Sequence, residues 1–114
     1  MDRALNWLEA HFPDLERDLA ELVKIDSIST DGDHQAEIEQ SAELVCALMK
    51  RAGLRNVGIL RAEWANPYAY GEWLEAPGQP TVLLYSHHDV QPPGPEEKWV
   101  SPPWQLTRRA GRLY

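Results

Sequence analysis

Apolar residues recur at helical spacing through the first half of the chain and give way to short extended patterns in the second. Leu5, Leu8 and Phe12 mark an amphipathic run from about residue 4 to 12. Pro13 interrupts it and suits the first turn of a second run. There Leu15, Leu19, Leu22 and Val23 share one face, and Glu16, Arg17, Asp18, Glu21 and Lys24 fill the other. Residues 26–33, "DSISTDGD", are small, polar and glycine-containing, the chemistry of turns. A third helix is expected from about 35 to 52, with Ile38, Ala42, Val45, Leu48 and Met49 inward, Lys50 and Arg51 in its last turn and Gly53 as its stop.

Extended structure follows. "NVGILRAEW" (56–64) and "PYAYGEWLE" (67–75) each alternate enough for a strand, and "APGQP" separates the second from "TVLLYS" (81–86). That last run is apolar on both faces, the pattern of a strand covered by helices on both sides of a mostly parallel sheet. Five prolines between Pro92 and Trp104 exclude a helix or central strand. Trp99 and Trp104 favour an ordered loop there, and "LTRRAGRLY" reads as a hairpin turning at Ala110-Gly111. The pattern is that of a single α/β domain with helices packed on a mixed, mostly parallel sheet.

Charge and composition narrow the function. The formal charge of −7 lacks the basic footprint of a nucleic-acid or anionic-membrane binder. The N-terminus has no signal-peptide pattern, no run reaches membrane-spanning length, and a soluble cytoplasmic protein is expected. Cys46 is the only cysteine, so an intrachain disulfide is impossible, and it reads as a small hydrophobe of the third helix. His11 and His34 read as surface residues at helix ends, and Glu37, Glu39 and Glu43 as a solvated helix face. The proline stretch lacks a P-x-x-P with a flanking arginine and is a poor ligand for a polyproline-binding module.

Candidate chemistry concentrates where "TVLLYS" meets "HHD" (87–89). In an extended chain His87 and Asp89 face one side and His88 the other. An imidazole ligates zinc well, and a carboxylate beside it can fix its tautomer. The C-terminal end of a parallel strand is also where open α/β sheets bind ligands. On spacing alone a polar turn capping the strand explains the triplet better than a metal site does. His88 reads as a bystander.

The segment "PTVLLYSHHDVQPPGPEEKWVSPPW…GRLY" resembles the co-catalytic di-zinc metallopeptidases, a family that includes aminoacylases, carboxypeptidases, desuccinylases and dipeptidases. The dipeptidase branch typically reads P-T-V-L-x-Y-G-H-x-D-V-Q-P, then Trp, S-P-P-F and G-x-L-Y-G-R-G. "DLAELVKIDSIST" and "AELVCALMKRAGLRNV" resemble the family's opening helix and the helix before its first strand. Ser86 stands where the branch has Gly, and Trp104 where it has Phe. The resemblance implies the N-terminal part of a zinc-peptidase catalytic domain spanning 1–114, with His87 as a metal ligand and Asp89 as the catalytic-site carboxylate that orients it. It further implies two Zn2+ ions in the intact enzyme (Mn2+ or Co2+ being alternatives), a small peptide substrate and a homodimer.

The family continues with G-R-G-x-x-D-x-K-G, whose Asp bridges the metals, and this chain ends at Tyr114. The expectation is therefore an N-terminal fragment, inactive by itself, that lacks the bridging Asp, the general-base Glu and the lid or dimerisation domain. Two other readings stay open: an N-acyl amino acid deacylase on the same scaffold, and a non-catalytic remnant acting as a binding module.

Overall fold

The computed structural model describes residues 2–114 and divides into two compact units. Asp26–Pro92 form one; the N-terminal stretch through Ile25 and Pro93–Tyr114 form the other. In the first, α2 (Gln35–Arg51) is followed by β1 (Arg55–Leu60) and β2 (Tyr68–Glu72), which pair antiparallel, and α2 packs against both strands. Ile38, Ala42 and Cys46 are buried on its inner face together with Ser41. The helix ends as the sequence indicates. The Gly53 N–H donates to Lys50 O and the Leu54 N–H to Met49 O, which is a Schellman closure, and Gly53 takes the positive φ of 89° that it requires.

Gly71 permits close approach of β2 to its neighbours. A Cβ there would lie 3.1 Å from Leu54 Cδ2 and Val57 Cγ2 and 3.2 Å from Met49 Sδ. Ile25 and Ile28 are also buried, the latter in a single parallel bridge to Val90 in which the Val90 N–H donates to Ser27 O at 3.0 Å.

In the second unit, α1 runs without a break from Asp2 to Val23. The two-helix expectation is corrected here. Leu5, Leu8, Phe12, Leu15, Leu19 and Leu22 follow alternating steps of three and four, so the apolar stripe keeps its phase through Pro13. The carbonyl that Pro13 leaves without a donor belongs to Glu9, which is exposed to water. His11 therefore lies in mid-helix rather than at an end; it stacks on Trp7 at 4.2 Å and its Nδ1 donates to Trp7 O at 2.7 Å.

The proline stretch is an ordered loop with a single 3-10 turn at Glu96–Lys98, braced by Trp99 Nε1 donating to Pro93 O at 2.9 Å. β3 (Arg108–Arg109) and β4 (Arg112–Leu113) form the expected hairpin, with Ala110 and Gly111 at φ 46° and 76°. The Arg108 guanidinium pairs with the Glu16 carboxylate, and Arg109 lies over the Tyr114 ring at 4.2 Å.

The α/β class holds, and the sheet expected of it does not. Among the described residues the ladders are two two-stranded antiparallel sheets, with one isolated parallel bridge. Residues 81–86 form no strand, and Val82, Leu83, Leu84 and Tyr85 are 75–89% exposed. A doubly apolar run becomes a buried strand only where strands flank it and helices cover it, and no ladder forms beside this one.

Candidate functional site

His87, His88 and Asp89 follow the exposed run and enter a network that is assembled within residues 26–92. Three segments supply it. The turn after residue 25 brings Ser27 and Ser29, which flank Ile28 at its bridge to Val90. α2 brings Ser41 on its buried face. The loop before β2 brings the Pro67 carbonyl.

His87 and Asp89 emerge together, as alternation requires, although no ladder runs through them. The His87 Nδ1 lies 3.0 Å from Asp89 O and 3.2 Å from Asp89 Oδ1. Both neighbours are acceptors only, so Nδ1 carries the proton. That leaves the Nε2 lone pair available on a ring whose side chain is 75% exposed.

Asp89 is held from its other side, where the Ser29 hydroxyl donates to Oδ2 at 2.5 Å. This hydrogen bond foremost holds the Asp89 carboxyl below its ordinary range, against the opposing effect of partial burial; its own backbone N–H and His87 add to the lowering. The Ser29 bond thus favours the ionised form of Asp89.

His88 turns the opposite way. Its Nδ1 lies 3.1 Å from Ser41 Oγ and its Nε2 3.3 Å from Pro67 O, while its carbonyl lies 3.1 Å from both Ser27 Oγ and Ser41 Oγ. Ser41 and Ser27 are 0% and 1% exposed. Among the described residues no buried side-chain nitrogen or oxygen lacks a partner.

The chemistry of this donor set suits a divalent transition metal in part. His87 offers one imidazole nitrogen, with its tautomer set by a carboxylate. Among the described residues no three His, Cys, Asp or Glu side chains gather into a metal-holding group. Two nearby acidic groups serve elsewhere: Glu39 grips Arg61 through two hydrogen bonds at 2.5 and 2.8 Å, and Asp31 holds His34 at 2.7 Å.

The three serines escaped the sequence reading. Ser27 and Ser29 lie within the turn-forming stretch 26–33, although their i, i+2 spacing mirrors that of His87 and Asp89. Ser41 gave a sharper signal, a hydroxyl on the apolar stripe between Ile38 and Val45.

Comparison with known proteins gives the chain relatives. It is 29% identical over 105 residues to the Cys-Gly metallodipeptidase of Schizosaccharomyces pombe, a match covering 84% of this chain and 22% of that enzyme. It is 36% identical over 72 residues to the succinyl-diaminopimelate desuccinylase of Xylella fastidiosa (strain 9a5c), covering 62% and 18%. With the desuccinylase of Janthinobacterium sp. (strain Marseille) it is 32% identical over 78 residues, covering 68% and 17%. The chain therefore spans about a fifth of the length of these relatives. Neither a family model nor a solved structure matches.

Proposed function

We propose, for a chain that belongs to the metallopeptidase family of these dipeptidases and desuccinylases, that it supplies one part of a metal-dependent amide-hydrolysing centre. The observation that carries this reading is the His87–Asp89 pair, with Nδ1 committed to oxygen acceptors and Nε2 free. His87 would hold the metal through Nε2. Asp89 would keep that nitrogen unprotonated and aimed, and Ser29 would keep Asp89 ionised and in place. A bound divalent metal, zinc or in its place manganese or cobalt, supplies the Lewis acidity that polarises an amide carbonyl.

One imidazole binds such an ion weakly, so the remaining ligands and the general base come from elsewhere in a relative-length protein. The 114 residues alone would then be inactive. The match to the Cys-Gly metallodipeptidase, which covers more of this chain than the others, supports a dipeptide or similar small peptide as substrate. The higher identity of the desuccinylases over a shorter stretch supports the second reading, removal of an acyl group from an amino acid. A cytoplasmic, homodimeric whole enzyme completes the proposal. The single cysteine is consistent with a reducing compartment, and among the described residues no helix is long and apolar enough to cross a membrane.

The test is a chimera in which this chain replaces the matching fifth of the Schizosaccharomyces pombe enzyme. Cys-Gly hydrolysis that survives the exchange and disappears with His87→Ala supports the reading. A folded, metal-loaded chimera whose activity ignores His87→Ala would sink it. A folded chimera that cleaves neither Cys-Gly nor an N-succinyl amino acid would favour a binding remnant.

A further inference from the structure

We propose that His88, whose ring bridges Ser41 on α2 to the Pro67 carbonyl, is the positioning residue that aims His87 and Asp89; the inference rests on the metal-site reading of that pair. Residues 81–86 belong to no ladder, so inter-strand hydrogen bonds do not fix the backbone that enters the site. His88 supplies the missing constraint from both its ring and its main chain. Its carbonyl accepts from Ser27, its Nδ1 meets Ser41, and its Nε2 meets Pro67 O. Three separate segments thereby hold one residue, and its two neighbours must leave on the opposite side.

The hydrogen bonds select histidine in particular. Pro67 O can only accept, so Nε2 carries the proton. Ser41 Oγ lies 3.1 Å from both Nδ1 and the His88 carbonyl and has one proton to give; with Nδ1 unprotonated that proton goes to Nδ1, and the Ser27 hydroxyl serves the carbonyl. A single tautomer satisfies every group, and the fully buried Ser41 has no water to turn to. No other side chain accepts at the Nδ1 position and donates at the Nε2 position together. Both ring nitrogens are engaged, which also removes His88 from candidacy as a second metal ligand.

The experiment follows the His87 ring by long-range 1H–15N NMR on the 114-residue chain, with and without Zn2+. It compares the wild type with His88→Leu, His88→Asn and His88→Gln, and adds thermal melts. The wild type is expected to show one His87 tautomer, protonated at Nδ1. His88→Leu should give a mixture and weaken the Zn2+-dependent shift of His87 by about tenfold. Asn, which keeps a polar atom near the Nδ1 position, and Gln, which keeps one near Nε2, should each recover part of the loss. If Leu does not fold, Asn and Gln carry the comparison. A lowered melting temperature with an unchanged His87 tautomer and zinc midpoint would reduce His88 to a structural residue and overturn the proposal. Loss of the single tautomer in a chain whose His87 ignores Zn2+ would support positioning and remove the metal reading alone.

Discussion

Ser29 donates its hydroxyl to Asp89 Oδ2 at 2.5 Å across a separation of 60 residues. The bond joins the turn after residue 25 to the segment bearing His87. Its removal by Ser29→Ala should let the Asp89 carboxyl rise toward its ordinary value of 3.8. The loss should cost about 1 kcal/mol of stability, less than is usual for bonds to charged groups because Asp89 is partly exposed. A carboxyl lowered in the folded state contributes stability above its unfolded value, and that contribution is lost as pH falls through the folded one. The gap between wild type and variant in chemical denaturation should therefore be full at neutral pH and close in acid. A gap that persists in acid would mean that Ser29 acts through packing.

A second pH-sensitive pair lies at the start of α2. His34 Nδ1 meets Asp31 Oδ1 at 2.7 Å, and that hydrogen bond foremost raises the His34 pKa above 6.5 and lowers that of Asp31 below 3.8. The charges of Asp31, Asp26 and Glu37 add to the rise at His34. The His34 contribution is present below its unfolded value and disappears as pH rises through the folded one. The Asp31 contribution is present above its unfolded value and disappears as pH falls through the folded one. NMR titration of the His34 ring should give a midpoint above 6.5 that drops in Asp31→Asn. A midpoint indifferent to Asp31→Asn would show that the contact does not persist in solution.

The β3–β4 hairpin carries local strain. Ala110 holds φ at 46° beside Gly111 at 76°, a pair of left-handed residues that favours Asn-Gly. Ala110→Asn should stabilise the chain by about 0.5–1 kcal/mol, since a β-carbon that cannot hydrogen-bond locally is costly there. Thermal denaturation reads the change, and a lower melting temperature would show that the turn opens in solution.

The parts of the fold legible in the sequence are those decided by short-range chemistry. α2, its Gly53 stop and the turn at Ala110-Gly111 each follow from a few adjacent residues. Pro13 misled because a single residue was weighed against a stripe whose phase runs from Leu5 to Leu22; water at an exposed turn makes the lost hydrogen bond tolerable. "TVLLYS" misled for the opposite reason, because strand formation depends on partners that no local pattern supplies. At the site, alternation placed His87, His88 and Asp89 on their proper sides. The serines that hold them were hidden because their meaning lies 47 to 61 positions away.

Those separations also have a kinetic meaning. α2 and the β1–β2 hairpin close through short loops, whereas the contacts of Ser27, Ser29 and Ser41 with residues 88 and 89 close long ones. Helical signal should thus appear early in refolding, before the geometry of His87 and Asp89 exists. A sample judged folded by its helicity could still hold His87 in random orientation, so the competence of the site has to be read at the imidazole itself.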